Sequence, residues 1–235
     1  NYPPMKQPMR HLHNNLKKFV FMGLLGAVNY GCQETDEYVP PTSCNEEVIE
    51  SGMECNGTIR QALSTTRAHI DESIALEPAC SPPSQGDHYP RWSVWGESET
   101  PIPSGYWLHN LEHGGVAVLY RCDEGCDDWV EELRNVIDEV PIDLSCTGDV
   151  RTRTLLTQSP ELPESPMIAV VAWGFSYSAT CVFKEDILAF IESHYSNAPE
   201  SLCAQGSYSA DMANAGRSET TESTESGVGD PMTLP

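Results

Sequence analysis

Histidines between Pro82 and Tyr120 carry the chemistry this chain offers most openly. The run His109-Asn110-Leu111-Glu112-His113 sets two imidazoles four residues apart, on one side of a helical turn and close enough to share a metal ion. His88 lies upstream in PPSQGDHYP and supplies a third neutral nitrogen from a loop. Three imidazoles can bind a transition metal and leave a position for water or substrate. Glu112 fits beside them as a fourth ligand or as the partner that orients one. Imidazole suits copper and zinc alike, and three neutral ligands outside the cytoplasm favour copper over zinc. The same five residues also satisfy HxxEH, the inverted zinc-protease motif, with His109 and His113 as ligands and Glu112 as general base. That motif needs a long helix, and Gly114-Gly115 followed by VAVLY ends a helix after about one turn. A third reading removes the chemistry: the histidines hydrogen-bond a Pro-rich loop to a sheet in a non-catalytic surface module. His69 reads as a surface or boundary residue.

These side chains need a scaffold, and periodicity supplies most of one. Thr58 to Leu76 places Ile59, Leu63, Thr66, Ile70 and Ile74 at steps of three and four, which predicts a helix. Ser81 to Tyr106 is rich in Pro, Gly, Ser and aromatics and predicts a long ordered loop, with Tyr89, Trp92, Trp95, Tyr106 and Trp107 lining a ligand or packing the loop down. Val116 to Tyr120 predicts a strand. Asp127 to Val140 predicts a helix whose face carries Trp129, Val130, Leu133, Val136, Ile137 and Val140. Val150 to Thr157 predicts a second strand, and Met167 to Trp173 a central strand buried on both faces. Thr180 to Phe183 reads as an extension of that sheet, and Glu185 to Tyr195 as a closing helix. The order argues for an α+β fold: a small mixed sheet, two or three packed helices and a long Pro/Gly-rich loop region.

Charge and cysteines bound the partners and the compartment. The 235 residues carry 13 Lys and Arg against 35 Asp and Glu, a net charge of −22, so nucleic acid is excluded as a partner. Residues 1–31 hold Lys6, Arg10, Lys17 and Lys18 and no acid, then the apolar run Phe19 to Val28, which is the layout of a secretory signal. The run is too short for a membrane span of about twenty residues. It ends at Gly31-Cys32, and Cys32 after a small residue predicts a lipoprotein-type signal with lipid on Cys32. That lipid would be the chain's only hold on a membrane. Eight cysteines remain, Cys44, Cys55, Cys80, Cys122, Cys126, Cys146, Cys181 and Cys203, an even number suited to four disulfides in an oxidising envelope compartment, periplasm or outer surface. Proximity suggests Cys44 with Cys55 and Cys122 with Cys126. Residues 32–43 read as an acidic tether, 44–203 as one α+β domain, and 204–235 as a tail too polar to order itself.

The segments PPSQGDHYP, Trp95-Gly96 and GYWLHNLEHGGVAVLY together resemble a bacterial family known as the domain of unknown function 3105. The later AVVAWG and SNAPES fit its C-terminal half, so the resemblance covers residues 80–201. Gln85, Asp87 and Leu108 depart from the family's segments. The resemblance implies that His88, His109, Glu112 and His113 matter, and it brings no reaction with it.

Overall fold

The computed structural model describes residues 38–63, 66–146, 148–164 and 167–213. The predicted signal and Cys32 lie outside them. One seven-stranded mixed sheet dominates, built from β1 (Glu46–Ser51), β2 (Thr58–Ala62), β3 (Gly96–Ser98), β4 (Val116–Arg121), β5 (Thr154–Gln158), β6 (Met167–Ala172) and β7 (Phe175–Ala179), in the order β1-β2-β7-β6-β4-β5-β3. β4 and β3 flank β5 in parallel, and the remaining pairs are antiparallel. Among the described residues, three helices of nine residues or more, α1 (Ser104–Glu112), α2 (Asp127–Asp138) and α3 (Lys184–His194), complete the α+β fold.

Strand alternation explains how two cores share one sheet. On β4, Ala117 and Leu119 face one side and Val116 and Val118 the other, so both faces must be covered. β6 divides likewise, Ala169 and Val171 against Ile168 and Val170. α1 and the Pro-rich loops cover the first face with Trp95, Trp107, Leu108 and Leu111. α2 and α3 cover the second with Val130, Leu133, Ile187 and Phe190.

Several expectations are corrected. Thr58 to Leu76 is not a helix: Thr58–Ala62 is strand β2, paired on both sides, and the described residues after it form no helix. Its apolar stripe does not serve one face, because Ile59 joins one core, Ile70 and Leu76 join the other, and Leu63 stays exposed. The final strand is Phe175–Ala179 rather than Thr180 to Phe183, because Trp173-Gly174 forms a two-residue hairpin, with Gly174 at φ +78°, that brings Phe175 opposite Ala172. Cys44 pairs with Cys80, not Cys55, and Cys55 with Cys181. Cys122–Cys126 forms as expected, and Cys146–Cys203 completes the set. Order also runs past Cys203: Tyr208 stacks on Tyr106 and Ala210 is buried, since this stretch still finds apolar surface to cover.

α1 is longer than the single turn expected, because it starts at Ser104 inside the presumed loop; all nine of its residues are buried. It stops where glycine allows. The Gly114 N–H donates to Leu111 O at 2.9 Å and the Gly115 N–H to Asn110 O at 3.0 Å, a Schellman ending with Gly114 at φ +84°. A Cβ at Gly115 would lie 2.4 Å from the Trp95 ring and 2.8 Å from Arg153 O. Gly115→Ala is therefore expected to cost about 1–3 kcal/mol through overpacking. Urea unfolding checks this, and a midpoint equal to the parent's would show that the close approach relaxes freely.

Candidate functional site

Three chain segments meet above α1. Residues 66–70 run extended beside His88, with the His88 N–H donating to Ala68 O at 3.0 Å and the Ile70 N–H to His88 O at 2.9 Å. Asp87 Oδ1 accepts the Ala68 N–H at 2.9 Å, which ties the two loops together. The rings of His69, His88 and His109 form a near-equilateral triangle with centroids 4.8–4.9 Å apart. One nitrogen from each, with a Glu112 carboxylate oxygen, lies within 4.8 Å of all the others. Such a His/Glu set can hold a metal ion.

Backbone carbonyls decide which nitrogen of each buried ring faces inward. His88 Nδ1–H donates to Gly86 O at 2.8 Å and His109 Nδ1–H to Tyr89 O at 2.7 Å. In the neutral rings the lone pairs are then on Nε2. Burial lowers the His88 pKa, against the pull of Glu112 and the bond to Gly86 O, and pushes that of His109 down to about 4, with the nearby histidines acting in the same direction. His88 Nε2 lies 3.0 Å from Glu112 Oε2, within hydrogen-bonding reach. Glu112 Oε1 accepts from Arg67 Nη1 at 3.0 Å, and His69 Nε2 lies 3.9 Å from Oε2.

His88, His109 and Glu112, named from sequence spacing, come together here. His113 lies beside this set rather than in it. Its Nε2 is 3.1 Å from His109 Nε2 and 3.3 Å from Glu200 Oε2, and its buried Nδ1 has no partner among the described residues. Burial lowers its pKa as well, against the pull of Glu200. The place in the set goes to His69, which spacing left at a surface or boundary. Its side chain is 53% exposed, so the boundary reading describes its solvent contact and misses its position. A signal was present, since Arg67 and His69 two residues apart point to one side of an extended segment. The helical periodicity of Thr58 to Leu76 hid it. The arrangement also departs from the HxxEH geometry: Glu112 enters the set that a motif-based site would reserve for His113. Trp92 packs on His109 and His113 at 5.2 and 4.6 Å, and Trp173 on His88 at 6.0 Å.

A family model for a protein of unknown function, DUF3105, matches residues 69–207, more than half of the chain. The chain belongs to the DUF3105 family. No curated protein and no solved structure matches it. The DUF3105 segment opens on His69 itself and encloses His88, His109, Glu112, His113 and Glu200. It also takes in Tyr89, Trp92 and Trp173, so the packing around the cluster falls inside the family region.

Proposed function

We propose that this DUF3105 protein is an exported, lipid-anchored metal-binding domain of the cell envelope whose site is His69, His88, His109 and Glu112, with copper favoured over zinc. The observation that carries the reading is the convergence of one nitrogen each from His69, His88 and His109 with a Glu112 carboxylate oxygen, all within 4.8 Å of one another. Three nitrogens and one carboxylate oxygen, with no thiolate, suit a divalent ion. In such a set copper(II) binds more tightly than zinc. Pairing of all eight later cysteines supports an oxidising compartment. The basic n-region, the short apolar run and Cys32 support the anchor.

The chain purified without chelator is expected to carry close to one copper or zinc per molecule. Copper(II) added to the metal-free protein should quench tryptophan fluorescence, because Trp92 and Trp173 pack on site histidines. Metal content well below one equivalent, with no saturable quenching, would overturn the metal reading. Intact mass of the membrane fraction should begin at acylated Cys32; another N-terminus would overturn the anchor.

A further inference from the structure

We propose that the exposed side of this metal site takes a small carboxylate, held between the metal and the guanidinium of Arg67. The inference rests on the metal reading above and adds a ligand to it. His88, His109 and Glu112 are 0–3% exposed, whereas the Arg67 and His69 side chains are 48% and 53% exposed. Solvent access is thus concentrated along residues 66–70, and an incoming ligand meets Arg67 there.

Arg67 spends Nη1 on Glu112 Oε1, and among the described residues no other group pairs with its guanidinium. The remaining N–H donors form a fork suited to a planar two-oxygen anion. Charge points the same way. Three neutral imidazoles, one carboxylate, a divalent ion and Arg67 sum to a local charge of about +2, and a half-buried excess of that size favours an anionic ligand. The chain as a whole carries −22, which repels acidic macromolecules and leaves a small monoanion as the occupant. One carboxylate oxygen would bind the metal and the other the guanidinium.

Acetate titrated into the copper(II)-loaded chain, followed by the visible copper absorption, tests this. The parent should show a saturable spectral shift. Arg67→Gln should weaken acetate binding by about tenfold or more while copper affinity holds or rises, since Glu112 is released from its ion pair. Arg67→Lys, which keeps the charge and loses the fork, should fall between. Acetate binding of parental strength in Arg67→Gln would overturn the proposal, and so would preferential binding of inorganic phosphate. Copper content is measured first. A chain that takes up no copper fails the metal reading itself, whereas a copper-loaded chain indifferent to Arg67 fails only the carboxylate proposal.

Discussion

Replacing His109 by Ala is expected to lower copper(II) affinity by about 10²–10³-fold, as the loss of one ligand from the proposed four-ligand site. His69→Ala should follow at the lower end of that range, because its half-exposed ring can be replaced by water. His113→Ala should cost about 10-fold or less, the effect of removing a neighbour that positions a ligand. The ordering distinguishes two sites. Spacing in HNLEH puts His109 and His113 on equal terms, while the geometry joins His109 to His69, His88 and Glu112 and leaves His113 bridging His109 and Glu200. Competition against a chelator of known affinity gives the three constants, and melting of the metal-free variants gives the structural part. Should His113→Ala fall as far as His109→Ala while His69→Ala binds like the parent, the ligand set is the one spacing suggests. If all three bind metal like the parent and only their melting points fall, the histidines brace loops and hold no ion.

Why the sequence reached three of the four members of this site and missed the fourth is a matter of range. His109 and Glu112 sit on one helix, and the Gly114-Gly115 ending reads directly from local chemistry. His88 stands out as the histidine of the Pro-rich loop upstream of HNLEH. His69 reaches the cluster only through pairing of residues 68–70 with His88, a contact no periodicity encodes. The fold divides in the same way. β4 and β6 are apolar on both faces and α2 and α3 are amphipathic, so each announces itself. β2 and β7 are short and part polar, and pairing with each other and with β1 and β6 is what makes them strands. Disulfide partners 36 to 126 residues apart are likewise set by the fold, and of the pairs only Cys122–Cys126 is local.

Asp143→Ala is expected to destabilise the fold by about 3–5 kcal/mol, because it strands a buried guanidinium. The Arg153 side chain is 1% exposed, and Nη2 donates to Asp143 Oδ2 at 2.7 Å and Nε to the same oxygen at 3.2 Å. Its Nη1 donates to His113 O at 2.7 Å, and Tyr195 donates its hydroxyl to Asp143 Oδ2 at 2.8 Å. Arg153 also bonds Ser196 and Ser201, so one residue pins the end of α1 to the segment after α3. Burial alone would raise the Asp143 pKa; bonds from Ser145, Tyr195 and Arg153 outweigh it and hold the carboxyl well below its ordinary value. A carboxyl depressed in the fold stabilises fully above its unfolded pKa of about 3.9 and loses that contribution as pH falls below it. The parent should therefore show an acid limb below about pH 4 that Asp143→Ala lacks. Thermal melts at neutral pH should drop by roughly 6–20 °C, at about 2–4 °C per kcal/mol for a chain of this size. The double variant Asp143→Leu/Arg153→Met should recover much of the loss, since it removes both charges together. A single-variant cost below about 1 kcal/mol would show that water reaches Arg153 and that its network does not hold the helix end. Because His113 O accepts from Arg153, metal affinity in Asp143→Ala should fall by about 10-fold or less, a shift carried through the helix terminus and not through any ligand.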